Sequence, residues 1–156
     1  MKKNEKTPAF TFIEILLSMT ILAISIGLVT SWTNSSLSSA ELQTITEELT
    51  GLIRHQEMAA HTQYQNAHHG IRIEANQYTT FIGNDFDTSA QEDRQTFTFP
   101  TAFSIENIAI NGGGADIVFD KGSGETEEYG SFQILHHQSN DLTTISVSPI
   151  GLTSWQ

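Results

Sequence analysis

Residues 10–32 open on Phe10-Thr11-Phe12-Ile13-Glu14, close on Ser31-Trp32, and carry one charge, Glu14, in 23 positions. At about 1.5 Å per residue, a helix of that length reaches across a hydrocarbon core of roughly 30 Å. A carboxylate held at such depth costs on the order of several kcal/mol unless it is protonated or paired, so Glu14 stands out as a functional residue. No Lys or Arg occurs between Lys6 and Arg54, so the run has no side chain of its own to neutralise it. A cation arises if the chain is cut just before Phe10, because the new α-amine then lies one helical turn from Glu14. That amine can serve its own chain or a neighbour shifted along the same axis.

Lys6-Thr7-Pro8-Ala9, followed by Phe10-Thr11-Phe12-Ile13-Glu14 and the apolar run, resembles the class III signal (prepilin-type N-terminal methylation motif) of type IV pilins and pseudopilins. The resemblance implies that a prepilin peptidase cleaves between Ala9 and Phe10 and that the Phe10 amine is methylated. It further implies that Glu14 pairs with the Phe10 amine of an adjacent subunit in a helical fibre, replacing an unpaired charge with an ion pair. Gly is the usual residue before the cut; Ala9 matches Gram-positive competence pseudopilins instead. The implied partners are other pilin or pseudopilin subunits, the prepilin peptidase, membrane lipid and a pilus or secretion assembly platform, with no cofactor. Two other readings stand beside this one. A secretory signal could be cut after Ala40 at Ser38-Ser39-Ala40, although the apolar run is long for that purpose and has an acid near its start. A plain membrane anchor would have Glu14 merely near the interface, although a single-pass anchor normally excludes carboxylates from its span. Either would make the chain a membrane-anchored or secreted extracytoplasmic binding module outside any fibre.

Charge narrows the partners. Lys and Arg number 7 against 18 Asp and Glu, a net −11. Loss of residues 1–9 removes Lys2, Lys3, Lys6 and Glu5, leaving 4 basic and 17 acidic side chains, a balance of −13. Such a surface repels phosphate backbones and disfavours nucleic acid. The tail from Ser148 to Gln156 also lacks the basic residues through which a related minor pilin class takes up DNA. Lys2, Lys3 and Lys6 precede the run with no basic residue close behind it, which predicts a cytoplasmic N-terminus. The expected location is single-pass in the cytoplasmic (inner) membrane, at the cell surface or in the periplasm once assembled.

The expected organisation is a leader (1–9), a transmembrane helix (10–32), an amphipathic continuation (33–62) and a β-rich globular domain (63–156). Leu37, Leu42, Ile45, Leu49, Leu52, Ile53 and Ala59-Ala60 form a stripe of helical period. The weak helix formers at 34–39 offer a place to kink. Beyond Gln63 the period becomes two. Residues 70–74 and 77–82 predict a hairpin about Ala75-Asn76. Segments at 96–99, 102–105, 107–110, 116–119, 131–135, 143–148 and 152–155 follow. The fold class expected is α+β: a long N-terminal helix, half membrane-spanning and half amphipathic, packed on a C-terminal antiparallel sheet in the manner of a pilin. Phe119, Gly122, Gly124, Gly130 and Gly151 resemble the Gly-punctuated closing strands of H-type minor pseudopilins and related minor pilins.

Other constellations reduce to structure. His68-His69 and His136-His137 alternate across strands, so each pair offers one ring to a side, and exposed or capping roles are expected with no metal site. Asp85-Phe86-Asp87-Thr88-Ser89 opens like a calcium loop, but Ala90 and Thr96 occupy the positions that need Gly and Glu. Asp116, Asp120, Glu125, Glu127 and Glu128 could form a calcium site, as the resemblance to major pseudopilins implies, but read by default as a solvated acidic loop. No phosphate cradle, nucleophile elbow, catalytic Cys or zinc-protease motif occurs, so no catalytic residue is assigned and an enzyme is not expected.

Overall fold

The computed structural model describes residues 11–156, with every side chain among them except those of 28–36. The chain divides into two compact units, with the boundary between Leu37 and Ser38. The helix α1 (Phe12–His61) contributes to both; residues 34–39, the expected kink, are helical.

Among the described residues the first unit has no buried side chain. Every described side chain from 11 to 27 is exposed, Phe12 to 77% and Ile13 to 72%. Its hydroxyls turn back on the helix: Ser18 Oγ donates to Glu14 O (2.7 Å), Thr20 Oγ1 to Leu16 O (2.8 Å) and Ser25 Oγ to Ile21 O (2.8 Å). Those bonds satisfy the hydroxyls of Ser18, Thr20 and Ser25 within the helix. Among the described residues no helix is long and apolar enough to cross a membrane. The described side chains of the run, 11–27, cover only about 25 Å at 1.5 Å per residue, and the Trp32 side chain lies outside the described set.

The second unit holds eight strands: β1 (His69–Ile73), β2 (Gln77–Ile82), β3 (Gln95–Thr98), β4 (Phe103–Ile110), β5 (Asp116–Phe119), β6 (Gly130–His136), β7 (Asp141–Val147) and β8 (Thr153–Trp155). They form two four-stranded antiparallel sheets, β3-β2-β1-β5 and β4-β6-β7-β8. This corrects the expected fold class. The expected single antiparallel sheet is overturned by the two separate sheets, and no helix among the described residues matches the membrane-spanning half that was expected. The physical reason for the second sheet lies between β3 and β4. Pro100 has no N–H to give a ladder, so the first sheet stops at its β3 edge. The chain crosses instead: Phe99 N–H donates to Asn76 O (3.0 Å) and Ile105 N–H to Ala75 O (2.7 Å). The β1–β2 turn therefore fastens the second sheet to the first. The two strands expected at 102–105 and 107–110 are one, β4, whose register with β6 shifts between Glu106 and Ala109 around Asn107 (φ 51°).

Within this unit the stripe on α1 is buried at Leu42, Leu49, Ile53, Ala59 and Ala60 and half-buried at Ile45 and Leu52. Leu49, Ile53 and Ala60 have no exposed surface, and Leu42 and Thr46 are nearly as enclosed. They share a core with Ile71, Ile117 and Phe119 of the first sheet and Phe132, Ile134 and Ile145 of the second. Each large side chain so buried contributes about 1.5–3 kcal/mol against exposure. Thr46 survives there because its hydroxyl donates to Leu42 O (2.7 Å), and Arg54 Nη2 ties the helix to β8 through Thr153 O (2.9 Å).

The end of α1 rests on a close joint. Gly122 N–H donates to Ala60 O (2.9 Å), and His61 Nδ1 donates to Ser123 O (3.0 Å). Gly124 (φ 71°) comes so near that a Cβ there would lie 2.8 Å from Glu57 Oε1. Gly151 (φ 79°) packs behind it, where a Cβ would collide with Gly124 O and approach Glu57 Cγ to 2.8 Å.

Candidate functional site

Two features of the described molecule are available for partners. The first is the uncovered apolar helix. Glu14 lies in the first turn of α1, exposed, with no side-chain partner among the described residues. Its amide and that of Ile15 donate to Thr11 O (3.0 and 3.3 Å). Ala9 and Phe10, and with them the expected cleavage point and N-methylation site, lie outside the described residues.

The second feature is a polar cavity of about 270 Å³ between the end of α1 and the first sheet. Helix residues Gln56 and Ala59, strand residues His69, Thr80 and Phe81, and the 3-10 turns Tyr64–Asn66 and Gln91–Asp93 wall it. The first of those turns is left-handed at Gln63 (φ 57°), Gln65 (φ 54°) and Asn66 (φ 55°), which sequence reading gave no reason to expect. It leaves the Tyr64 side chain exposed while the Tyr64 carbonyl accepts from buried His69 Nε2 (3.0 Å).

The loop from β2 to β3 is held by two guanidinium groups. Arg72 pairs with Asp116 through Nε–Oδ1 (2.6 Å) and Nη2–Oδ2 (2.9 Å) and reaches Asp87 Oδ1 (3.1 Å). The hydrogen bond to Asp116 raises the Arg72 pKa further, against the lowering effect of burial. Phe86 lies between cations, 3.9 Å from Arg72 and 4.2 Å from Arg94, a stack that adds cation–π attraction. Arg94 donates to Phe86 O, to Ser89 O (2.8 Å) and to Ser89 Oγ (2.9 Å). Asp85 Oδ1 closes the loop by accepting from Asp87 N–H (2.6 Å), an Asx turn of the usual kind.

The carboxylates weighed as a calcium cluster are divided among separate duties. Asp116 is bound to Arg72, Asp120 lies 3.2 Å from His68 Nδ1, and Glu128 accepts from Val118 N–H (3.4 Å). Among the described residues no group of three or more His, Asp or Glu could hold a metal ion. The histidines correct the expectation of exposed or capping roles in part. His69 and His136 are buried in the sheets, and His136 Nδ1 accepts from Ser139 N–H (3.2 Å). Strand alternation was legible: His137 is exposed and His68 half-buried beside them.

Comparisons with protein families, with characterised proteins and with solved structures found no match for the chain.

Proposed function

We propose that the chain is a structural subunit, of the minor kind, of a type IV pilus, a competence pilus or a type II secretion pseudopilus. The observation that carries this reading is the bare apolar helix that begins at Phe12. Its described residues 11–27 are exposed throughout, the hydroxyls of Ser18, Thr20 and Ser25 are satisfied within the helix, and Glu14 is unpaired among the described residues. A contiguous apolar surface of that extent calls for lipid or neighbouring protein as cover. In this reading the prepilin peptidase releases Phe10 from Ala9, and the Phe10 amine of one subunit meets Glu14 of the next. The subunit waits in the cytoplasmic membrane with its leader inside and residues 38–156 outside, then joins the fibre through the assembly platform. Glu14→Ala is expected to be processed at Ala9–Phe10, as shown by N-terminal sequencing, yet to be missing from sheared fibres. Its normal incorporation would reject the mechanism.

A second reading, an extracytoplasmic binding module acting alone, is favoured by the polar cavity. It requires a mature N-terminus other than Phe10.

A further inference from the structure

Charge is unevenly distributed over the lining of the cavity at the end of α1. Gln56, His69, Thr80 and Phe81 are each no more than 7% exposed and form the interior of the lining, with no carboxylate, Lys or Arg among them. Glu92 is exposed and Asp93 half-buried, so an anion entering the cavity meets two negative charges. The only guanidinium in the lining, Arg94, already donates to Phe86 O, Ser89 O and Ser89 Oγ. A cation that reached Gln56, His69, Thr80 and Phe81 would leave water for neutral neighbours, since the Glu92 and Asp93 carboxylates stand at the exposed part of the lining, and that desolvation is costly. A neutral polar ligand escapes both penalties.

The lining matches hydroxyl chemistry. Gln56, Gln65 and Gln95 carry amides that both donate and accept, as sugar hydroxyls do. The Gln56 amide nitrogen makes one long contact, 3.4 Å to His55 Nδ1, and its carbonyl oxygen has no partner among the described residues. Tyr64, 59% exposed, adds a flat apolar face, suited to the C–H surface of a pyranose. It is presented by the left-handed turn at Gln63, Gln65 and Asn66, a conformation costing about 1–2 kcal/mol per non-glycine residue that gathers at ligand clamps. A neighbouring hollow of about 510 Å³ shares His55, Ala59 and Tyr64 and adds Met58 and Thr62, so the path extends beyond one ring.

We propose that this cavity binds a neutral saccharide, one pyranose ring among the glutamine amides against Tyr64 and the next over Met58. The site is independent of the fibre reading. The full chain in detergent micelles is titrated with glucose, galactose, mannose, N-acetylglucosamine and their β-1,4-linked dimers, read by saturation-transfer NMR and calorimetry. At least one sugar is expected to bind. Tyr64→Ala and Gln95→Ala are each expected to weaken it about tenfold, while Tyr129→Ala, outside the cavity, leaves it unchanged. Gln95→Ala keeps the backbone carbonyl that Thr80 uses, so it decides the matter if Tyr64→Ala fails to fold. Silence across the panel, tighter binding of glucose-6-phosphate or of choline than of any neutral sugar, or full affinity in Gln95→Ala would overturn the proposal.

Discussion

Tyr78 shows how one residue's environment becomes a measurable property. Its ring stacks on Phe97 (5.1 Å) and meets Phe99 edge-on (5.2 Å), and only its hydroxyl reaches outward, toward Glu48 Oε1 at 3.5 Å. Burial, and then the Glu48 charge, push the phenol up to about 12 from 10.0. The folded state therefore keeps its proton at a pH where the unfolded chain has lost it. The stabilisation is complete below pH 10 and disappears as pH rises toward 12. Glu48 is exposed, and screening of its charge by solvent limits the effect to about 1 kcal/mol. Melting curves between about pH 9.5 and 12 are expected to fall less steeply in Tyr78→Phe than in the natural chain. Parallel slopes would show that the phenol is not the group responsible.

Between elements, the decisive contact is the glycine joint under α1. Gly151→Ala places a methyl group against Gly124 O at a φ of 79°. Strain and overpacking together are expected to cost about 2–4 kcal/mol, read as a lowered urea midpoint with an unchanged slope. Parts of this arrangement were legible in the chain. The helical stripe from Leu42 to Ala60 and the Ala75-Asn76 hairpin follow from periodicity, because one face of each must be dry. Gly122, Gly124 and Gly151 could be noticed as punctuation, but not as a seat for Glu57 and His61, since contacts across such sequence separations leave no local pattern. The division into two sheets was hidden for the same reason. Pro100 marks a break, yet nothing in its neighbourhood says that β4 will pair with β6 and not continue from β3. The cavity was equally illegible, for it depends on a left-handed turn at Gln63, Gln65 and Asn66, residue types that do not announce one. Glu14 was the opposite case, conspicuous in the sequence because one acid interrupts a long apolar run.

For the whole molecule, the placement of the core has a direct consequence. Every residue of the core, from Leu42 to Val147, belongs to residues 38–156. A chain restricted to those residues is expected to fold cooperatively without detergent, with a melting temperature within a few degrees of the full chain, as circular dichroism can establish. A broad, non-cooperative melt would mean that residues 11–37 contribute to the fold. The tethering of Arg54, Arg72 and Arg94 also shapes how such copies meet. Residues 38–156 carry sixteen carboxylates and four cations, and those three cations are spent on Thr153 O, on Asp116 and Asp87, and on the β2–β3 loop. Lateral crowding of copies then becomes a problem in colloid physics. Like-charged bodies hold one another off over a screening distance of about 30 Å at 0.01 M salt and about 10 Å at 0.1 M, so light scattering from residues 38–156 should pass from mutual repulsion toward neutrality as ionic strength rises.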